Sequence, residues 1–512
     1  MCGVLFTNDS KSTKKEFLAA LNLMRHRGPD AEPGFAAFNA NKLGHNRLKI
    51  LDLRDDSNQP FYSSDKRFAV VYNGEIYNFR EIAKEFNIKT RTTSDTEVLI
   101  ELFVKLGPKM LELLNGMFAF IILDTITGSV FVARDRLGIK PLYYCTNGES
   151  ITLASEIAAV VQLTGKTSFD EVGMRQYRKL RTFFNNRTPY HNISMFPAGH
   201  YMLDGQIKQY WQLPQGPQDP PADEEVRDLI ESAVDYRCIS DVPVGSYLSG
   251  GLDSTLIASL ASKPHTWTIG FSECNEFNWA QIAAERKKSI HTEVLIENEE
   301  FVSLAEFMVA KRKEPLSVPN EVLLYKMTRE VKTRNTVILS GEGADELFFG
   351  YDRIFRWANE NDWDIAEFNR LYSYGTNDDL EIIEDALQPF MHYGKTIDIV
   401  AAFFQVAHLH GLLRRLDNAT MLCSVEARVP FVDHRLVERM TGVPLDYRME
   451  GNIVKAPLKR IFKDLIPTPI MNRVKIGFPV PLESMSFNDD SETPMDSWLN
   501  FNINQLNRSI VD

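Results

Sequence analysis

Of 512 residues only five are cysteine (Cys2, Cys145, Cys238, Cys274 and Cys423), an odd, scattered set without a C-x-x-C pair. That excludes a disulfide framework and a structural zinc site as organising features. Long hydrophobic runs are missing as well. The longest, residues 117–123, falls far short of the ~20 residues a membrane span needs. The start, Met1-Cys2-Gly3-Val4-Leu5-Phe6, has neither a basic stretch nor a long apolar one, so no secretory signal is expected. No membrane partner is expected, and the cytoplasm is the expected compartment. Positive charge is in deficit: 57 Lys plus Arg against 69 Asp plus Glu give a net charge of −12. A polyanion such as nucleic acid held by bulk charge is therefore disfavoured, while a local basic pocket for a small phosphate ligand stays open. Internal repeats, low-complexity tracts and the G-x-x-x-x-G-K-[ST] phosphate loop are also lacking.

What is there is ordinary globular material, 44% hydrophobic and 25% charged, which rules out disorder, collagen and coiled coil as dominant themes. The length exceeds the ~250–300 residues at which one core stops growing, so two or more domains are expected. Residues 1–210 read as short strands and turns. A β-rich run at 68–72 is closed by the Asn73-Gly74 turn signal, with further strands at 116–124, 129–134 and 142–145 and a helix over 98–106. Pro214, Pro217, Pro220 and Pro221 then crowd into nine residues, which suits neither a helix nor a central strand and marks a linker. Beyond it, helical patterns alternate with short β-branched strands such as 265–271 and 336–339. That predicts a parallel α/β sheet with a mainly helical end. The expected division is 2–210, a proline-rich linker at 211–222, and 223–512.

Cys2 stands where removal of the initiator Met would leave a thiol and a free α-amine on one carbon. A nucleophile so placed carries its own general base, because the amine has an ordinary pKa of ~7.7–8.0. Five fragments follow it in order: His26-Arg27-Gly28-Pro29-Asp30, Asn46-Arg47-Leu48, Asn73-Gly74-Glu75-Ile76-Tyr77-Asn78, Ser94-Asp95-Thr96-Glu97, and Arg134-Asp135-Arg136-Leu137-Gly138-Ile139-Lys140-Pro141-Leu142-Tyr143. Together they resemble the class II glutamine amidotransferase domain, an N-terminal-nucleophile hydrolase of αββα architecture. The resemblance implies that Cys2 attacks the side-chain amide of glutamine, giving a thioester and ammonia. It places the oxyanion donors on the Asn73 side chain and the Gly74 N–H. The remaining glutamine contacts it implies are Arg47 for the carboxylate, Glu75 and Asp95 for the ammonium, and Leu51. The charges of 135–138 flank a tight turn and are expected to define the fold rather than the chemistry.

Past the linker, Tyr247-Leu248-Ser249-Gly250-Gly251-Leu252-Asp253-Ser254-Thr255 reads as the end of a strand, an anion nest of backbone N–H groups, and a helix start. It resembles the S-G-G-x-D-S loop of the N-type ATP pyrophosphatases, which split ATP between the α- and β-phosphates. The resemblance implies ATP contacts at Leu248, Ser249, Gly250, Gly251, Ser254, Ile269, Ser340 and Gly341, with Leu248 and Ile269 about the adenine. It implies Mg²⁺ on Asp253 and Asp345, which suits a cation content with one or two carboxylates plus phosphate oxygens. Glu342 lies where the acyl-adenylate forms, and Lys455 is placed to stabilise departing pyrophosphate, with Lys475 a further phosphate candidate. The block Ser424-Val425-Glu426-Ala427-Arg428-Val429-Pro430-Phe431-Val432-Asp433 is expected to pack the helical part.

Both halves together resemble the glutamine-hydrolysing asparagine synthetase family, from Cys2 to about Leu482. The implied reaction releases ammonia at Cys2, adenylates a carboxylate in the second half, and joins the two to an amide, AMP and pyrophosphate. An enclosed, largely apolar passage for ammonia is expected. Substrates implied are glutamine, ATP and a carboxylate, aspartate by default; the implied assembly is a homodimer. Val318 and Asn418 depart from many family members, which place Asp and a basic or aromatic residue there. The segments around 318–321 and 417–421 are expected to border the acceptor, which opens the alternative of a sugar uronic acid, with Glu321 or Asp417 able to supply an anion there. A β-lactam-closing relative is disfavoured by the presence of Cys2. A non-catalytic nucleotide or glutamine sensor is disfavoured by Cys2, Asp253, Glu342, Asp345 and Lys455 all being present.

Overall fold

The computed structural model describes residues 2–262, 265–373, 378–473, 479–485, 487 and 493–511. Its first half is built on alternation. In the strand Gly3–Thr7, Val4 and Phe6 point one way and Leu5 the other, yet all are fully buried. Such a strand needs a packing partner on both faces. Val4 and Phe6 pack against Val71, Ala119, Ile121 and Val132 of a second sheet. Leu5 packs with Phe17 and Leu21 of the helix Lys14–Leu23. The second sheet repeats the logic, with Val70 and Tyr72 turned toward Val98, Leu99 and Leu102 of the helix Asp95–Leu106. Two six-stranded sheets of antiparallel pairs thus lie face to face between helices, an αββα stack.

One sequence expectation fails here in an instructive way. Asn73-Gly74 is no turn. The strand runs Phe68–Ile76 without a break, and Asn73 and Gly74 pair with Ala119 and Phe118 of the strand Gly116–Asp124. Glycine is required there by crowding, since a Cβ at 74 would meet the Met117 carbonyl oxygen at 2.1 Å.

Residues 211–222 form neither helix nor strand. The segment is docked rather than loose: Leu213 is buried, and the Gln218 N–H donates to the Gly442 carbonyl. Beyond it stands a five-stranded parallel sheet in the order Ile290–Leu295, His265–Gly270, Val244–Tyr247, Val337–Leu339, Glu426–Arg428. Val244–Tyr247 is first in sequence and central in space. The chain adds strands on one side of it, then on the other. The loops leaving Val244–Tyr247 and Val337–Leu339 therefore diverge at a topological switch point, where open α/β sheets bind ligands. The segment 424–433, expected to pack the helical part, does so while also supplying the edge strand Glu426–Arg428 of this sheet. The helical remainder includes one continuous helix, Thr396–Met421, long and apolar enough by composition to cross a membrane; half of its apolar window is buried in protein.

The halves meet through buried charges. The fully buried Arg27 donates to Asp417 at 2.9 Å and to Glu156 at 3.2 Å, and Lys140 approaches Asp417 at 3.4 Å. Pairs like these cost several kcal/mol to break one-sidedly, so they fix how the halves dock.

Candidate active sites

Cys2 opens the first strand and is 8% exposed. It shares a small cavity, about 30 Å³, with Arg47, Leu48, Leu51, Tyr72, Gly74, Glu75 and Asp95. The Cys2 N–H donates to Asn73 Oδ1 at 3.1 Å, which turns the Asn73 amide so that its Nδ2 is buried with no partner. A buried donor left open beside a nucleophile is the signature of an oxyanion site waiting for charge. Burial pushes the Cys2 thiol up, opposed by the chain's amino terminus and by Arg47. The thiol therefore needs a base to give up its proton.

The carboxylates are held differently. Asp95 begins its helix and accepts from Tyr72 Oη and the Ile76 N–H, both at 2.9 Å. Burial pushes it up to about 6, against the pull of those hydrogen bonds. Glu75 is raised as well, by burial and by Asp95, with Arg428 opposing. Arg47 lines the cavity, but its guanidinium clamps the following loop, donating to the carbonyls of Leu51, Asp52 and Arg54 and to Asn58 Oδ1.

The second cavity is about 600 Å³ and sits at the switch point. Leu248, Ser249, Gly251, Asp253 and Ser254 wall it from the first loop, Ser340, Gly341, Glu342 and Asp345 from the second. Ser249 and Ser254 brace the first loop, their hydroxyls 3.0 Å apart. Lys455 is buried and reaches both carboxylates, Asp253 at 2.6 Å and Asp345 at 2.7 Å. Its own pKa is raised by the two carboxylates against burial. The ammonium thus marks a point where two carboxylates from two loops converge on positive charge. An all-oxygen pair beside a phosphate-type loop fits Mg²⁺, which keeps water and phosphate oxygens for its other positions. Among the described residues no group of three or more His, Cys, Asp or Glu side chains could hold a metal.

Several expected contacts are not in the wall. Ile269 and Gly250 do not line the cavity; the Gly250 carbonyl accepts from Arg473 instead. Lys475 lies outside the described residues. Val318 lines the wall as expected, but Glu321, Asp417 and Asn418 do not. Glu321 pairs with Arg312, Asp417 with Arg27 and Lys140, and Asn418 donates to Glu314 at 2.8 Å. These side chains serve the packing behind the pocket.

The wall holds residues the sequence reading missed. Arg415 donates to Glu342 at 3.0 Å, and its Nε is buried without a partner. Phe404, His408, Gly411, Leu412 and Arg415 line the cavity from one face of the long helix. A π-turn at Phe404–His408 shifts their register, a device common at functional sites. Nothing in the sequence separates Arg415 from its neighbour Arg414, so no local signal marked it. Tyr351, Tyr372 and, from the first half, Arg181 and Thr182 complete this lobe.

A thiol nucleophile beside an open oxyanion donor, docked against an α/β nucleotide loop with paired carboxylates, defines a two-site amidotransferase. Comparison with known proteins narrows the class. A family model described as "Glutamine amidotransferase domain" matches residues 1–211, and one described as "Asparagine synthase" matches residues 225–500. "Asparagine synthetase [glutamine-hydrolyzing] 1" of Bacillus subtilis is 30% identical, over 94% of this chain and 86% of the relative. "Putative asparagine synthetase [glutamine-hydrolyzing] 2" of Methanocaldococcus jannaschii is 34% identical over 69% of this chain and 76% of its own length. "Asparagine synthetase B [glutamine-hydrolyzing]" of Escherichia coli is 28% identical over 93% and 82%. The chain belongs to the asparagine synthase family, and it is an ATP-using ligase that makes a C–N bond with glutamine as nitrogen donor.

Proposed function

We propose that this chain converts aspartate to asparagine, with glutamine, ATP and Mg²⁺, inside the cytoplasm. In the first cavity Cys2 Sγ adds to the glutamine amide carbon. The α-amine exposed by removal of Met1 takes the thiol proton and returns it to the leaving ammonia. Asn73 Nδ2 and the Gly74 N–H hold the oxyanion, Asp95 and Glu75 the substrate ammonium, and Arg47 with the Leu51 loop the carboxylate end. Water then frees glutamate from the thioester.

In the second cavity the acceptor carboxylate attacks the α-phosphorus, pyrophosphate leaves, and ammonia displaces AMP from the acyl-adenylate. Ser249, Gly251 and Ser254 would cradle phosphates, with Leu248, Ser340 and Gly341 about the nucleoside. Asp253 and Asp345 would hold Mg²⁺, which supplies charge neutralisation of the phosphates. Lys455 would follow the departing pyrophosphate, and Glu342 with Arg415 would orient the acceptor. The observation that carries this reading is the convergence of Asp253, Asp345 and Lys455 within one cavity at the switch point. The test is steady-state formation of AMP and pyrophosphate with glutamine and a panel of carboxylates; no AMP with any acceptor would sink it.

A second acceptor class has an observation in its favour. The lobe beyond Glu342 is walled by Val318, Leu412, Tyr351, Tyr372 and Phe404, and Glu321 and Asp417 are turned away from it. Aromatic faces with few anions suit a ring-bearing carboxylate without an ammonium, such as a sugar uronic acid. The ratio of kcat/KM for aspartate to that for uronic acids, at saturating ATP and ammonia, decides between them.

A further inference from the structure

The wall of the glutamine cavity comes entirely from the first half, but the charge behind Glu75 does not. Glu75 is buried, and it faces like charge: Asp95 from the helix beside it and Glu426 from the edge strand of the second half's sheet, with Tyr72 on its own strand, Tyr77 just past that strand's end and the amino terminus near Cys2. A buried carboxylate among other carboxylates tends to take up a proton and lose its value as an anion site. Two cations oppose this, Arg428 foremost and the amino terminus after it. Arg428, also from the edge strand Glu426–Arg428, is fully buried and stands 3.4 Å from Glu75 Oε1. Its remaining donors fix it rigidly: Nε donates to Glu426 Oε1 at 2.5 Å, and NH1 donates to the carbonyls of Arg237 at 2.9 Å and Ile239 at 2.6 Å. Its backbone carbonyl accepts from the Ser340 N–H at 2.9 Å, at the start of the nucleotide loop. The guanidinium is therefore aimed across the domain boundary by the frame of the parallel sheet.

We propose that Arg428 is a positioning residue for glutamine: its charge, held 3.4 Å from Glu75, draws that carboxyl toward the anionic form, so that the substrate's α-ammonium is recognised best when the second half is docked. The inference rests on the reading that Glu75 receives that ammonium. Arg428 itself touches neither the thiol nor the amide, so its loss acts on recognition and spares the chemistry.

The test uses the full chain and two amide substrates, glutamine and glutaramic acid, the same chain without the α-ammonium. Ammonia-dependent synthesis reports folding and the second site. Wild type is expected to prefer glutamine. Arg428→Gln is expected to lower the glutamine-to-glutaramate ratio of kcat/KM by about ten-fold or more, through glutamine KM, with glutaramate turnover nearly unchanged. Arg428→Lys, which keeps the charge, should restore most of the ratio. An unchanged ratio in Arg428→Gln, with ammonia-dependent synthesis intact, overturns the proposal. A wild type without preference for glutamine instead overturns the Glu75 reading, and the proposal falls with it. If Arg428→Gln loses every activity, Glu426→Gln decides. It leaves Arg428 to Glu75, so the ratio should hold or rise, and a fall refutes the role given to Arg428.

Discussion

The cavity beside Cys2 measures about 30 Å³ and that beside Asp253 about 600 Å³. The first is set into strands buried on both faces, and its Arg47 and Asp95 side chains are already engaged; Asn73 Nδ2 and Ser57 Oγ are buried without a partner. The second is assembled from loop ends, a π-turned helix and a strip of the other half. A small rigid site suits one substrate recognised the same way each time, since ordering costs are met at folding. A large site between elements suits three reactants and leaves room for the acceptor to vary within a family. The difference predicts that substitutions in the first cavity act all or none, whereas those on the acceptor side of the second act by degrees.

The most severe break in the comparison is Cys2→Ala. Glutamine-dependent synthesis should fall by at least ~10³-fold, since no covalent intermediate remains, while ammonia-dependent synthesis continues. Loss of both in a folded variant would show that the cavities are not separate machines. Retained Met1 should silence the glutaminase in the same way, and mass spectrometry of the N-terminus checks it.

The converse break is Asp253→Asn or Asp345→Asn. Each should reduce AMP formation by about 10²-fold or more while Cys2 still hydrolyses glutamine, because an amide leaves phosphate charge uncompensated. Gly350→Ala should mimic them without touching a charge. Its Cβ would meet Asp345 Oδ1 at 1.8 Å and Lys455 Cε at 2.5 Å. AMP formation at the wild-type rate in any of the three would remove that residue from the nucleotide machinery.

A pH titration sharpens the contrast within the first cavity. Asp95 is pushed up to about 6 by burial and Glu75 is raised as well, so the two titrate as a pair. A raised carboxylate is charged above its pKa and neutral below. The kcat/KM for glutamine should therefore fall below about pH 6, by up to about ten-fold per unit. Glutaramate, without an ammonium to hold, should lack that limb. The same limb for both amides would assign it to the thiol chemistry instead.

How much of this was legible in the chain depends on the range of the interaction. The strand Gly116–Asp124 was read to the residue, because a continuous apolar run needs nothing beyond itself to be recognised. The phosphate-type loop was legible because its glycines, serines and aspartate are contiguous. Asn73-Gly74 was misread because the turn rule is local, while the reason for this glycine is the Met117 carbonyl on the neighbouring strand. Arg415 and Arg428 were invisible as site residues for the same cause. Each looks like one more charge in sequence, and only the fold sets one against Glu342 and the other against Glu75. The acceptor segments were half legible: of 318–321, Val318 and Asn320 line the cavity and Glu321 does not, and helical phase turns Asp417 and Asn418 away while Arg415 faces in.

The smallest expected effect, and the one that probes the open side of the comparison, is Val318→Asp. Val318 lies on the cavity wall between Ser317 and Asn320, in the cavity where Arg415 holds Glu342. The other carboxylates on that wall are engaged: Asp253 and Asp345 with Lys455, Glu276 with Arg473. An aspartate acceptor brings an ammonium that needs an anion, and a new carboxylate at 318 would supply one. The cavity is wide and Val318 is only partly buried, so screening limits the gain to about 1 kcal/mol, roughly five-fold. The ratio of kcat/KM for aspartate to that for a uronic acid should therefore rise several-fold in Val318→Asp, with glutaminase activity unchanged. A rise of that size would place the acceptor's ammonium beside residue 318 and explain why an uncharged residue there loosens the preference for aspartate. No change would put the ammonium elsewhere, with Glu342 as the anion left to receive it, and the lobe along the π-turned helix would then owe its selectivity to shape alone.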